Sequence, residues 1–311
     1  MDKIQNPVST AFFKTEPPLP SNTTFPPTNR GELVKYLRHK CVEKNTELIS
    51  PMTFDKNIYY QFLVDDKYKI LFCGIPKVAS SNWRNVLLVL SGKVNATNPM
   101  EIDQEDTQSK FRPLIPTLNS YMRSHIRYRL KDYYKFMFVR HPLERLLSAW
   151  RDKLHSNLSS RIEYRRPLVK HIARVYRNVS RQLDSESLDR VQIRFDEFLR
   201  FVVDQAEKGA ALNEHWERFH KLCHPCTVRY DFVGRYEHLE EDAMRVLESV
   251  HADRMVRFPE RSAVYKHSRT TDEMQQFYKD IPASLLKRVY RCFQEDFELF
   301  NYTVPEYLQI M

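Results

Sequence analysis

Residues Lys67 to Leu90 read KYKILFCGIPKVASSNWRNVLLVL. Tyr68 to Cys73 is a short apolar run that suits a buried strand, and Pro76-Lys77 marks a turn. From Ser81 to Leu90 apolar residues return at helical spacing, with Trp83, Val86, Leu87 and Leu90 on one face. A strand that breaks at a lysine and resumes as a helix gathers an ammonium, the hydroxyls of Ser80 and Ser81, and the helix's unpaired first N–H groups. Such a point binds a phosphate or a sulfate. The pattern recurs at Phe136 to Trp150, FMFVRHPLERLLSAW. There an apolar strand ends in Arg140, and Pro142 takes the first helical position, where a missing N–H costs nothing. Arg140 offers a fork of donors, and Ser148, two turns into the helix, adds a hydroxyl. Two such units imply a ligand with two separate anionic groups.

Outward from these units, Val228 to Val233 reads as a third strand. Helices are expected at Glu32 to Lys44, Leu118 to Leu130, Leu143 to His155, across Ile162 to Gln182, and at Asp196 to Glu207. Further helices are expected at Leu239 to Val250, near Asp272 to Lys279, and at Ala283 to Phe300, while Val94 to Lys110 reads as a polar loop. Strands interleaved with helices predict an α/β layered fold with a parallel sheet. Residues 1–30 hold six prolines and little periodicity. The expected division is a flexible Pro-rich leader with a short helix over 1–50, then one domain over 51–311.

With 311 residues, 42% hydrophobic and 29% charged, the chain buries a sizeable core and is globular rather than disordered. It has only five glycines, so an anion loop must use helix-start amides and side chains; the GxxxxGK[ST] strap of nucleotide-triphosphate loops is missing at Lys77. That omission, with no paired acidic metal site, argues against a kinase. Lys plus Arg is 49 against 40 acidic residues, a net charge of +9. The surplus favours acidic partners such as nucleotides, anionic lipid, nucleic acid or uronic-acid-bearing and sulfated glycans. It is spread along the chain, and nothing in it requires nucleic acid. No apolar run approaches the roughly 18–20 residues that span a bilayer, and the N-terminus lacks a signal-peptide pattern. Five Asn-x-Ser/Thr sequons, at Asn22, Asn95, Asn157, Asn178 and Asn301, point towards a secretory lumen.

Five cysteines (Cys41, Cys73, Cys223, Cys226 and Cys292) leave at least one unpaired. Cys223-His224-Pro225-Cys226, near His215 and His220, reads first as a structural disulfide or buried thiols. A zinc knuckle comes second, since a second ligand pair is wanting. The spacing of Trp216, Phe219 and Leu222 reads as core. Glu144 and Arg145 read as a solvated face or a structural ion pair. Arg161, Arg165, Arg166, Arg174 and Arg177 read as the lining of a polyanion groove or an ordinary helix face.

PKVASSNW (Pro76 to Trp83) together with VRHPLERLLSAWRDK (Val139 to Lys153) resembles the two cofactor-binding motifs of the Golgi carbohydrate sulfotransferases. The branch it resembles holds the chondroitin and dermatan 4-O-sulfotransferases and the HNK-1 sulfotransferase. The likeness continues in NEHWERFHKLCHPCTVRYDFVGRYEHLEEDA (Asn213 to Ala243), HSRTTDEM (His267 to Met274) and DFELFNYTVPEYL (Asp296 to Leu308).

The resemblance implies a P-loop-like three-layer fold, a central parallel sheet flanked by helices. It implies the donor 3′-phosphoadenosine 5′-phosphosulfate (PAPS) and no metal. Pro76, Lys77, Val78, Ala79, Ser80, Ser81 and Asn82 would hold the 5′-phosphosulfate. Arg140, His141, Pro142, Leu143, Glu144, Arg145, Leu146, Leu147 and Ser148 would hold the 3′-phosphate. Lys77 would also stabilise the charge growing on the bridging oxygen as sulfuryl leaves. Ser268-Arg269-Thr270 would close over the donor. The sequence departs from the family at His141, where relatives often carry an acidic residue, and at Ser80-Ser81 in place of a Cys-Thr pair; both changes keep the cradle polar. His215 is the expected general base, ahead of His125, because its NEHW surroundings match the family; Glu214 is a further candidate. The implied acceptor is an acidic glycan hydroxyl, the 4-position of N-acetylgalactosamine in chondroitin or dermatan. The implied place is the Golgi lumen, with membrane attachment only through an anchor not visible here. The competing reading is a PAPS- or glycosaminoglycan-binding protein without transferase turnover.

Overall fold

The computed structural model describes residues 32–44, 55–155, 162–177, 185–260 and 270–306. Its strands are β1 (Phe62–Asp65), β2 (Ile70–Cys73), β3 (Tyr134–Val139) and β4 (Phe232–Arg235). The helices used below are α1 (Leu33–Glu43), α2 (Ser80–Ser91), α3 (Gln104–Gln108), α4 (Arg123–Asp132), α5 (Pro142–Trp150) and α6 (Ile162–Tyr176). After them come α7 (Ser185–Arg190), α8 (Phe195–Glu207), α9 (Phe219–Cys223), α10 (Leu239–Ser249), α11 (Thr270–Tyr278) and α12 (Ala283–Leu299). The sheet order is β1-β2-β3-β4. β1 runs antiparallel to β2, whereas β2, β3 and β4 are mutually parallel, with Cys73 opposite Met137 and Val139 opposite Arg235. The α/β architecture expected from the sequence is therefore present, with an antiparallel edge strand added.

Parallel pairing decides where chemistry gathers. Three strands that point the same way deliver their C-terminal ends, and the turns after them, to one edge of the sheet. The turn at Pro76-Lys77, Arg140 and Tyr236 consequently share that edge. Above it, α2 is clamped to the sheet by Trp83, whose ring lies 4.6 Å from Phe136, 5.5 Å from Phe138 and 5.0 Å from Phe258. Trp83 is fully buried, so the first turn of α2 cannot drift. Gly92, in the left-handed conformation at φ 68°, ends the helix. A second core packs α5, α6, α8 and α12 through Leu147, Ile172, Phe198, Val202 and Phe293.

Two disulfides, Cys41–Cys226 and Cys73–Cys223, close loops with separations of 185 and 150 residues. The two cysteines of the CHPC stretch thus pair with distant partners, not with each other, and neither thiolate remains for zinc; Cys292 is the free one. Cys41–Cys226 ties α1, with Leu33 and Leu37 buried, to the segment after α9.

Several element boundaries differ from the sequence expectation. β1 escaped notice because FLVD is too short to show a period and all four residues are buried. Val94 to Lys110 contains α3, capped by Asp103, whose Oδ1 accepts from the Glu105 N–H at 2.7 Å. Leu118 to Leu130 divides into a 3₁₀ turn (Leu118–Ser120) and α4. The third strand begins at Phe232, not Val228, since Val228 and Tyr230 pack as a turn in which Tyr230 Oη donates to the Cys223 carbonyl. The helix from Pro142 stops at Trp150 and continues as a π-helical turn, Arg151–His155. The Pro-rich leader expected at residues 1–30 lies outside the described residues.

Candidate active site

The first corner is built by the backbone. Lys77 and Ala79 take left-handed φ values of 72° and 64°, which for non-glycine residues costs about 1–2 kcal/mol each. Alternating hands turn successive N–H groups towards one side, a nest for an anion. Ala79 opens α2 with no side-chain cap, and the first intrahelical donor is the Trp83 N–H, 3.1 Å from the Ala79 carbonyl. The Ser80, Ser81 and Asn82 N–H groups accordingly have no acceptor within the helix. Strain and an uncapped helix start, in a corner held rigid by Trp83, fit an anion held between them. Val78, named among the donor residues, has a fully buried side chain. Ser81 Oγ accepts from Gln108 Nε2 of α3 at 2.9 Å.

The Lys77 ammonium sits 3.0 Å from Asp152 Oδ2, and Lys153 lies 3.4 Å from the same oxygen. Asp152 follows Ser148 by four residues, one helical turn along the same face. The sequence reading missed it, although that spacing was the available signal. Burial pushes the Lys153 ammonium below its ordinary range.

The second corner faces the first. Arg140, only 5% exposed, donates from Nη1 to the Lys77 carbonyl at 3.2 Å and from Nε to Glu144 at 3.2 Å. Its guanidinium also lies 4.0 Å from the centre of the Tyr236 ring, at the start of the turn after β4. Ser148 is half-buried two turns into α5, whereas Pro142, Leu143, Leu146 and Leu147 are buried, the three leucines in the second core. The His141 N–H donates to Glu237 Oε1 at 2.9 Å, its Nε2 lies 3.2 Å from the Thr303 carbonyl, and Phe297 and Tyr302 meet its ring edge-on. Burial holds this imidazole below its usual pKa.

Of the two readings for Glu144 and Arg145, a solvated face or a structural ion pair, the first fails because both are buried, while Glu144 does form a buried ion pair with Arg140. Arg145 donates to the carbonyls of Pro76 at 3.0 Å, Glu217 at 2.5 Å and Glu214 at 2.9 Å. Burial pushes its guanidinium down to about 10, still protonated at neutral pH. One side chain therefore fixes the Lys77 turn to the NEHW segment, a link that spacing alone could not reveal.

That segment carries His215 and Glu214. Asn213 Oδ1 accepts both the His215 backbone N–H at 3.0 Å and the ring Nδ1 at 2.7 Å. An atom that accepts a backbone N–H is the amide oxygen, so Nδ1 must carry the proton and Nε2 the lone pair. Glu214 accepts from Gln61 at 2.9 Å. Trp216, Phe219 and Leu222 are buried, as their spacing indicated. His125 is exposed on α4, whose Arg129 is engaged with Asp66. Of the expected closing loop, Ser268 and Arg269 lie outside the described residues, and Thr270 opens α11.

The arginines offered as a groove are mostly committed elsewhere. Arg165 is buried and donates to the carbonyls of Leu154, Asp189 and Val191. Arg166 pairs bidentately with Asp189, and Arg177 with Glu197. Arg174 is exposed, and Arg161 lies outside the described residues. Among the sequons, Asn95 is exposed and Asn301 half-buried; Asn22, Asn157 and Asn178 lie outside the described residues.

Taken as a whole, the edge offers a backbone anion nest, a lysine, a buried arginine between two corners and an oriented imidazole. Known proteins share this sequence framework. The chain matches the sulfotransferase family over residues 60–303, which includes both corners and the NEHW segment. It is 37% identical to carbohydrate sulfotransferase 11 of Mus musculus over 250 residues, 80% of this chain and 68% of that protein. Identity to carbohydrate sulfotransferase 14 of Danio rerio is 37% over 275 residues, covering 86% and 70%. Carbohydrate sulfotransferase 10 of Gallus gallus is 30% identical over 303 residues, covering 96% and 82%. No solved structure matches the chain. A family match that spans the whole site, with relatives sharing a third of their residues along most of the chain, leaves one assignment: the chain belongs to the sulfotransferase family, as a carbohydrate sulfotransferase.

Proposed function

We propose that this enzyme moves a sulfuryl group from PAPS to the 4-hydroxyl of N-acetylgalactosamine in a chondroitin- or dermatan-like chain. The observation that carries the reading is the clasp between the corners: Arg140 on the Lys77 carbonyl and Arg145 on the Pro76 carbonyl. It supports one donor gripped at both charged ends. Pro76 to Asn82 receive the 5′-phosphosulfate through Lys77 and the helix-start N–H groups, while Arg140 and Ser148 serve the 3′-phosphate. Arg140 can do so without leaving Glu144, because a guanidinium presents five donors.

His215 Nε2 takes the proton of the acceptor hydroxyl, and that oxygen forms a bond to sulfur. The bond from sulfur to the bridging oxygen breaks, leaving its electron pair on the 5′-phosphate. Lys77 exchanges Asp152 for that developing charge, an interaction that is stronger in the transition state than before it. The catalytic domain proposed is 51–311. The Golgi lumen is its proposed place, a reading supported by two disulfides and an exposed sequon at Asn95.

The test is labelled-sulfate transfer to unsulfated chondroitin, dermatan and N-glycan acceptors, with disaccharide analysis of the product, beside titration with 3′,5′-ADP. A 4-sulfated galactosamine disaccharide is expected. Nucleotide binding without transfer to any of the acceptors would sink the reading. Lys77→Ala should lower kcat more than nucleotide affinity, and an unchanged kcat would remove Lys77 from the chemistry.

A further inference from the structure

Arg84 has no place in the donor cradle just described. It lies in α2 four residues after Ser80 and three after Ser81, on the face of the helix that opens at the cradle. Among the described residues Arg84 makes no hydrogen bond or ion pair, although it is partly buried. Withdrawal from water and the like charge of Arg112 push its pKa down to about 10, and the Glu214 carboxylate only partly offsets this. Arg112 is exposed and likewise makes no hydrogen bond or ion pair among the described residues. Two guanidinium groups set near each other, neither neutralised, one of them partly buried, is the electrostatic signature of a site awaiting an anion.

The position says which molecule brings it. A donor spanning the corners of β2 and β3 lies on one side of β2. Arg84's neighbours lie on the other. Arg112 belongs to the segment that runs on to Pro116, whose carbonyl accepts from Val64 of β1, and to Thr117, which bridges to Leu63. Glu214 is held by Gln61, the residue before β1, next to Tyr60, a tyrosine 44% exposed. An exposed aromatic ring beside a carboxylate and two arginine forks suits a sugar chain bearing its own carboxylates.

We propose that Arg84 and Arg112 form the acceptor subsite for the carboxylate of a uronic acid adjoining the sulfated sugar, with the Tyr60 ring against the chain. The inference rests on the transferase reading above and names the residues that read the uronic-acid carboxylate of the chain proposed there. The arginine forks match the planar carboxylate with two parallel hydrogen bonds.

The test is calorimetric binding of an unsulfated chondroitin octasaccharide and its carboxyl-reduced counterpart, with 3′,5′-ADP saturating. The wild type should bind the carboxylated chain about 10- to 100-fold more tightly than the reduced one, the scale of a charge-assisted pair. Arg84→Met should erase that preference, Arg84→Lys should restore part of it, and 3′,5′-ADP affinity of both should stay within about twofold of wild type. Arg112→Ser, at an exposed position that leaves folding intact, should lose a smaller factor towards the carboxylated chain only. The proposal is overturned if the wild type does not discriminate, if it binds neither chain, or if Arg84→Met weakens both chains equally or loses the nucleotide. A parallel transfer assay separates the two readings. Arg84-dependent binding without turnover would remove the transferase reading alone, and turnover indifferent to the carboxylate would remove this one alone.

Discussion

Arg145→Lys is the most informative single change. The substitution keeps the positive charge in its buried place, so the Glu217 and Asp296 fields around it are not left uncompensated. What it removes is geometry. The guanidinium serves three carbonyls, of Pro76, Glu217 and Glu214, and a lysine stem can serve one of them. Two lost charge-assisted hydrogen bonds, at about 1.5–3 kcal/mol each, give about 3 kcal/mol once water relaxation takes the lower end. Unfolding entropy of about 2.1 cal/mol/K per residue amounts to about 0.65 kcal/mol/K here, so Tm should fall by about 5 °C. The functional effect should be larger than the thermal one, because the lost bonds join the Lys77 turn to the His215 segment. Transfer should drop at least about tenfold in kcat, while 3′,5′-ADP affinity changes less than about threefold. Differential scanning fluorimetry, calorimetry and steady-state transfer read these three quantities. A variant with the lower Tm and a kcat within twofold of wild type would refute the idea that Arg145 registers the catalytic segments, and would leave it a fold residue only.

His215→Ala should lower kcat by about 10²–10⁴-fold without loss of nucleotide affinity, and Asn213→Leu should do the same more weakly by freeing the ring tautomer; retained transfer in the first would disqualify His215 as base. Gly234→Ala should destabilise by about 1–3 kcal/mol in urea unfolding, since a Cβ there would lie 2.4 Å from the Phe138 ring, itself packed on Trp83; an unchanged midpoint would mean the ring moves freely. Stability should fall as pH drops below about 6.5, the ordinary histidine value. Burial lowers the folded His141 pKa and its buried Nδ1 has no hydrogen-bond partner among the described residues, so the unfolded chain takes up the proton first. The urea midpoint should decline from pH 7.5 to 5.5, and His141→Asn should flatten that decline. An equal slope in the variant would assign the pH dependence to other groups.

The two corners were readable because each is local. A strand, a cation and a helix start within fifteen residues announce an anion site whatever surrounds them, and Trp83 and Leu87 mark the buried face of α2 by spacing alone. Lys77, Arg140 and Ser148 came from such short windows, whereas His215 was expected from the family resemblance of its NEHW surroundings. β1 was hidden for the opposite reason: four buried residues, three apolar and one aspartate, have no period, and their role depends on Pro116 and Thr117, more than fifty residues away in the chain.

By itself the amino-acid order determined the α/β class, both strand–cation–helix turns, the buried faces of their helices and the kinship with carbohydrate sulfotransferases, since each is written in contiguous residues. Tertiary structure alone decided that Arg145 is a buried staple, that Asp152 holds Lys77 and that the CHPC cysteines reach to Cys73 and Cys41. It also decided that Arg84, with no hydrogen bond or ion pair among the described residues, stands near Arg112. Those are facts of desolvation and of contacts across long loops, and a charge's neighbours and its distance from water exist only once the chain has closed on itself.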